Sequence, residues 1–402
     1  MNVSQICELA VAGGLLDEAG AEQQVAAWQS QQGLPDDGNG FVDSLVSENI
    51  VSEFQADALK AGVGGPYKFG PYRVNDRLAG GRLGTIYRAV HDEFDQPVSL
   101  KVFPSSLKDD SDAVMRLARE TRIAVQVNHP NIVRTFQVGK VGEIVFLAFE
   151  DLDGETLESA LKRATKLPED EACRLIRDAA RALVHLHELD IVLRDIQPSN
   201  LWVTTGGHTK LMEFGAARDA MVALDDDDVE DDIRGTFFRP ELLAGYDYMS
   251  PEQGADEAGA DARSDIYSLG CIFFEALTGE VVFPDVNPIR KALRHAREEP
   301  RLVSDIDSTI PHAVADIVNT MLAKEPSDRY QRAEDVVWAL DGVISAEEEH
   351  ETATLEIDEG FLKWAGETSE LPHDENVPTV VAEPDFIDFL DWVADEAEAE
   401  DS

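Results

Sequence analysis

Leu193-Arg194-Asp195-Ile196-Gln197-Pro198-Ser199-Asn200 is followed, thirteen residues after its Asn, by Glu213-Phe214-Gly215. The pair lies in a helix-patterned region. Upstream, Pro168 suits a first helical position and Glu169, Asp170 and Glu171 suit a helix start. Ala172, Leu175, Ala179, Leu183 and Leu186 then make one apolar stripe. Downstream, Ile266 to Leu277 is apolar almost all round, as a core helix would be. Before residue 150 the period is that of strands: Tyr72 to Leu78, Thr85 to Val90, Pro97 to Phe103, Asn131 to Val138 and Ile144 to Phe149. One helical stretch, Ala113 to Val127, interrupts them. A strand-rich half followed by a helix-rich half predicts an α+β, two-lobed layout, with lobes over 69–150 and 151–345.

The ends differ from this middle. Residues 1–66 alternate apolar and polar groups at helical spacing, with Ile50, Phe54, Ala58 and Leu59 on one face, a loop over Gln31 to Gly40, and a breaker at Gly62 to Pro66. They predict a small helical module. Residues 346–402 are acidic, with Lys363 the only Lys or Arg, and predict a largely disordered tail. Within it, Asp385-Phe-Ile-Asp-Phe-Leu-Asp-Trp-Val393 alternates acidic and apolar groups. Either this is a solvated tail, or Phe386, Leu390 and Val393 align on a helix and dock in a groove.

The 402 residues carry 34 Lys and Arg against 80 Asp and Glu, a net charge of -46. That argues against nucleic acid and anionic membrane surfaces as partners. Basic partners and adaptation to salt remain equally open. Three dispersed cysteines, Cys7, Cys173 and Cys271, exclude a zinc site of the usual spacing and a full disulfide framework. A reducing, cytoplasmic compartment is expected. No stretch approaches the ~20 apolar residues of a membrane span.

Further motifs flank the opening pair in a fixed order. Leu78-Ala79-Gly80-Gly81-Arg82-Leu83-Gly84-Thr85-Ile86-Tyr87 is a Gly-rich turn between strands. Val98-Ser99-Leu100-Lys101 follows on the next strand, and Glu120 lies nine residues before His129-Pro130-Asn131-Ile132-Val133. Phe146-Leu-Ala-Phe-Glu-Asp-Leu152 ends the strand-rich half. Later come Ser250-Pro251-Glu252, Asp261-Ala-Arg-Ser-Asp265-Ile-Tyr-Ser-Leu-Gly270 and Lys324-Glu-Pro-Ser-Asp-Arg329-Tyr. Over about 275 residues this series resembles the bacterial eukaryotic-like (Hanks-type) Ser/Thr protein kinases. The resemblance implies a bilobal kinase fold and phosphoryl transfer from ATP, with Mg²⁺, to protein Ser or Thr. Gly81, Gly84, Ile86, Ser99, Phe149 (as gatekeeper), Glu150, Leu152 and Trp202 would surround the nucleotide. Lys101 would hold the α- and β-phosphates and Glu120 would orient it. In the bland reading that pair only joins helix to sheet. Asp195 would accept the substrate proton, while Asn200 and Glu213 would hold the metal. Arg329 would pair with Glu252.

Several positions depart from the family pattern. Glu213 replaces Asp, which adds a methylene where Mg²⁺ demands near-octahedral geometry at ~2.1 Å. Gln197 replaces the Lys that neutralises the γ-phosphate. Trp202 replaces a Leu-like residue under the adenine, Ser99 a small apolar one over it, and Ala79 the first loop Gly. Gly245 stands near where a Thr is expected. Leu193 for His is milder, because that position belongs to a packed apolar spine. Asp225 to Asp232 is a run of acids between Glu213 and Glu252. It either mimics a phosphate for Arg194 or is a solvated loop. The expectation is a pseudokinase or very weak kinase acting as a binding module, with an active kinase as the alternative.

Overall fold

The computed structural model describes residues 1–30, 37–64, 67–81, 84–103, 123, 127–141, 144–212, 218–219, 245–255, 260–344 and 357–368. The chain divides into two compact units, one of residues 1–110, 135–151 and 356–402, the other of 111–134 and 152–355.

Four helices open the first unit: α1 Val3–Ala12, α2 Glu18–Ser30, α3 Gly38–Ser47 and α4 Glu53–Ala61. Capping boxes start α1 at Asn2 and α4 at Ser52. The loop expected over Gln31 to Gly40 is shorter at its far end. Asp37 accepts from the Asn39 N–H and so starts α3 at Gly38. Gly62, at φ +86, ends α4 in the left-handed conformation. Ile6, Phe41, Val42, Leu45 and Leu59 form the core of this module.

The six strands β1 Lys68–Phe69, β2 Tyr72–Gly81, β3 Gly84–His91, β4 Pro97–Val102, β5 Thr135–Val141 and β6 Ile144–Glu150 make one antiparallel sheet, ordered β1-β2-β3-β4-β6-β5. The strand expected from Asn131 begins only at Thr135, because Ile132 bridges to Leu211 instead. Residues two apart on a strand share a face. The cross-strand row Ile86–Lys101–Leu147–Val138 therefore shares a face with Arg88–Ser99–Phe149–Thr135. The opposite face carries Tyr87, Leu100, Ala148, Ala89 and Val98, all buried.

Two elements from outside the strand-rich segment cover that second face. Ala58 of α4 packs there, and Gln55 donates to the Val74 carbonyl at 3.0 Å. The other is a helix, Glu359–Thr368. Composition predicts a largely disordered tail over 346–402, and this helix is an ordered part of it. Phe361, Trp364 and Ala365 recur at helical spacing, a local stripe that an average over an acidic tail conceals. Phe361 and Ala365 are buried in the sheet's cluster. Asp358 accepts from the Phe361 N–H at 2.8 Å and starts the helix.

The second unit is mainly helical: α5 Leu157–Ala164, α6 Glu169–Glu188, α7 Pro251–Ala255, α8 Ala262–Thr278, α9 Pro288–Arg297, α10 Val303–Ile306, α11 His312–Met321 and α12 Ala333–Asp341. Short strands β7 Glu155–Thr156, β9 Leu201–Val203 and β10 Thr209–Leu211 pair antiparallel, and β8 Ile191–Val192 pairs with β11 Arg218–Asp219. The expected apolar stripe of α6 and the apolar α8 meet in one core. No described helix is long and apolar enough to cross a membrane.

One buried polar cluster in this unit links its stability to pH. His295 of α9 is fully buried; its Nδ1 lies 2.9 Å from the Tyr267 hydroxyl, and Lys324 donates to its carbonyl at 2.9 Å. Burial first, and then the nearby Lys324 charge, push the imidazole down to about 3. An unfolded His titrates near ~6.5. Between those values the unfolded chain holds a proton that the folded chain does not, so stability falls as pH drops below ~6.5. From pH 7 to 5 the loss from this group is on the order of 2 kcal/mol. In His295→Asn the denaturation midpoint is expected to change less between those pH values. Equal pH dependence of variant and wild type would refute the assignment.

Candidate functional site

On the first unit, the sheet face bearing Lys101 gathers Ile86, Ser99 and Phe149 in adjacent rows. Ser99, Lys101 and Phe149 are all buried, and the Lys101 ammonium lies 5.2 Å from the Phe103 ring centre. Glu150 ends β6, paired with Val98. Arg88 donates to Asp151 at 3.1 Å. Gly81 and Gly84 face each other across the β2–β3 turn. Glu120 lies outside the described residues.

On the second unit, the segment around Asp195 is held from both sides. Asp265, in the first turn of α8 and fully buried, accepts from the Leu193 N–H at 2.9 Å and the Arg194 N–H at 2.8 Å. His187 Nε2 lies 2.9 Å from the same carboxylate. On the other side, Gln253 of α7 donates to the Arg194 carbonyl at 2.6 Å, and Ser250 fixes that Gln through its own N–H and hydroxyl. Arg194 sits at φ +67, which costs a non-Gly residue about 1–2 kcal/mol. These four anchors hold the strained turn. Leu193 and Ile196 are buried in the core, which fits the expected tolerance of Leu193.

The rest of the loop is ordered by Asn200. Its amide nitrogen donates to the Asp195 carbonyl at 2.9 Å and its amide oxygen accepts from Ser199 at 3.0 Å. Its carbonyl takes the Met212 N–H at 2.9 Å. Glu213, with Phe214, Gly215 and the acidic run 225–232, lies outside the described residues. Half-buried Gln197 occupies an extended position between Asp195 and Asn200. A carboxylate and an amide oxygen are thus set on one short loop, a base and a hard-cation donor.

Two further details were only partly legible. Trp202 is buried, and its indole N–H donates to the Asp153 carbonyl at 2.6 Å, one residue past buried Leu152. Gly245 stands beside Asp195: a Cβ there would lie 3.2 Å from the carboxylate oxygen Oδ1. The role of Gln253 had no signal in the sequence. Its neighbour Glu252, by contrast, pairs with Arg329 as expected, through two contacts of 2.7 Å.

A family profile described as "Protein kinase domain" matches residues 72–338. The chain is 31% identical over 275 residues to serine/threonine-protein kinase PknB of Mycobacterium leprae, covering 67% of this chain and 42% of that protein. It is 29% identical over 295 residues to serine/threonine-protein kinase PrkC of Bacillus subtilis, covering 73% and 44%. To the probable serine/threonine-protein kinase SCO3848 of Streptomyces coelicolor it is 33% identical over 289 residues, covering 70% and 41%. The chain spans less than half the length of these curated relatives.

Proposed function

We propose, from the premise that this chain belongs to the bacterial Hanks-type Ser/Thr protein kinase family, that it serves in signalling as a protein-binding, regulatory module whose phosphoryl transfer is very slow or lost. One observation carries the reading. The loop from Leu193 to Asn200 keeps a full set of anchoring hydrogen bonds, yet presents Gln197 where the family has a cation. The scaffold is retained while a charge required in the transition state is not. Loss of one such preorganised contact typically costs about 10²–10³ in rate.

The described donors fit ATP and Mg²⁺ in part. Lys101 is a buried cation on one sheet face, and the Asn200 amide oxygen is the donor type that Mg²⁺ takes. Bound Mg·ATP would supply the phosphoryl group. Lys101 would hold the α- and β-phosphates, with Glu120 orienting its amine. Ile86, Ser99, Phe149, Glu150, Leu152 and Trp202 would line the base, and Gly81 and Gly84 would cover the phosphates. Asn200 and Glu213 would hold the cation, and Asp195 would accept the proton of a Ser or Thr hydroxyl on a protein substrate. Trp202 weakens the fit: its indole is larger than a Leu-like side chain and is tethered to Asp153. A slow but genuine kinase is the second reading, favoured by the retention of Lys101, Asp195 and Asn200.

Thermal unfolding of the full chain with Mg·ATP tests the binding half. A ligand at 100 times its Kd stabilises by about 2.7 kcal/mol. The expectation is little or no shift at millimolar Mg·ATP, and a larger one in Trp202→Leu. A wild-type shift of several degrees, unchanged in that variant, would favour the second reading.

A further inference from the structure

The helix Glu359–Thr368 lies beyond the matched family region, and its seat is an aromatic groove on the outer face of the sheet. Phe361 packs against Phe136 at 5.2 Å, His91 at 5.5 Å and Phe94 at 6.0 Å between ring centres. Trp364 lies 4.3 Å from the His91 ring and 6.3 Å from Tyr72. Gln96 accepts from the Asp358 N–H at 3.0 Å and fixes the entry of the helix. Lys363 between the two anchors is exposed, whereas Phe361 and the small Ala365 are buried.

The chain contains a Phe-Leu-x-Trp motif twice. Phe361-Leu-Lys-Trp364-Ala-Gly-Glu367 recurs as Phe389-Leu-Asp-Trp392-Val-Ala-Asp395. Phe, Leu and Trp are identical, and the small and acidic positions that follow are conserved in type. The position that changes charge, Lys363 to Asp391, is exposed in the first copy. Two differences rank the copies. Gly360 corresponds to Asp388, and a Cβ at Gly360 would lie 3.2 Å from the Phe94 ring. Buried Ala365 corresponds to the larger Val393. The second copy suits the groove less well than the first.

We propose that this groove is a recognition site for a Phe-Leu-x-Trp helix, and that residues 389–393 are its second, weaker ligand, competing with the helix at 359–368. The device allows the C-terminal segment to exchange one motif for the other on a single seat, freeing the displaced motif for another protein. It is a helix-in-groove mode read through aromatic anchors.

The test uses the full chain with its own second copy silenced by Phe389→Ala/Trp392→Ala, without and with Trp364→Ala, and a fluorescein-labelled peptide of residues 383–398 carrying the native motif. Silencing is needed because a tethered copy competes at about millimolar effective concentration. Removal of one aromatic anchor typically weakens such a helix about tenfold or more. The peptide is expected to bind the form with Trp364→Ala at least about tenfold more tightly than the form that keeps Trp364. An unlabelled peptide of residues 356–369 should displace it. Alanine at both Phe389 and Trp392 of the peptide should abolish binding. No saturable binding to either form overturns the proposal, as does binding indifferent to those alanines or to the competitor. If Trp364→Ala does not fold, hydrogen exchange of the wild-type chain decides. Millimolar peptide should speed exchange within residues 359–368, and unchanged exchange there rejects the proposal.

Discussion

Arg329→Ala is expected to destabilise the helical unit by about 3–5 kcal/mol. The Arg329 side chain is fully buried. It donates twice to Glu252 at 2.7 Å, and also to the carbonyls of Ala323, Lys324 and Arg263. Truncation leaves the largely buried Glu252 carboxylate with the Ser264 hydroxyl as its one side-chain partner among the described residues, and removes a donor from each of three carbonyls. Such a loss is a large part of the roughly 5–15 kcal/mol that holds a domain. At about 2–4 °C per kcal/mol for a unit of this size, the melting temperature should fall by around 10 °C. Burial by itself raises the Glu252 carboxyl. The Arg329 and Ser264 hydrogen bonds outweigh it and hold the group below the usual range. The pair's contribution is therefore present above the unfolded value of ~4.3 and is lost as pH falls through the depressed folded value. The double variant Glu252→Leu/Arg329→Met should recover much of the loss, since an apolar pair leaves no orphaned charge. A single variant as stable as wild type would show that the pair is incidental.

The contrast between that pair and the C-terminal helix shows what the sequence made legible. Glu252, Arg329, Asp265 and the Asp195–Asn200 loop fall inside ordered motifs, and of their contacts the Arg329–Glu252 pair was foreseeable. The strand rows carrying Lys101, Ser99 and Phe149 follow from period-2 alternation. The helix at 359–368 was not legible. Its apolar stripe is one turn long inside a segment that averages as acidic, and its partners Phe136, His91 and Tyr72 are more than 200 residues away in the chain. Tertiary burial decides such a helix, since an isolated one of this length is marginal. Trp202 was legible as a substitution and not as a tether, because no pattern announces a hydrogen bond to the Asp153 carbonyl. Gly245 was placed only loosely, since the segment before it has extra residues. Its position 3.2 Å from the Asp195 oxygen is a finding of the structure. The same applies to the sheet itself. Strand periodicity shows that both faces are apolar, and only the fold shows that α4 and a helix from the far end of the chain share the second one.

Gln197→Lys is expected to raise phosphoryl transfer to a protein or peptide Ser/Thr substrate by about 10²–10³. The loop that would hold the new ammonium is already in place, since Asp195 and Asn200 are joined at 2.9 Å and the turn at Arg194 is pinned by Asp265 and Gln253. The substitution therefore adds the missing charge to a preorganised site and need not rebuild it. Glu213→Asp added to it removes the extra methylene from the metal position. The two gains need not add, because in the proposed site both would act on the same phosphate and cation. The measurement is ³²P transfer by the wild type, each variant and the double variant, each repeated with Asp195→Ala. Signal that survives Asp195→Ala is contamination. If Asp195-dependent transfer by the wild type is already fast and Gln197→Lys leaves it unchanged, Gln197 is no defect and the chain is an ordinary kinase. If the variants gain Asp195-dependent transfer, the fold has kept its catalytic geometry while losing the cation at 197, which is the state expected of a scaffold retained for binding.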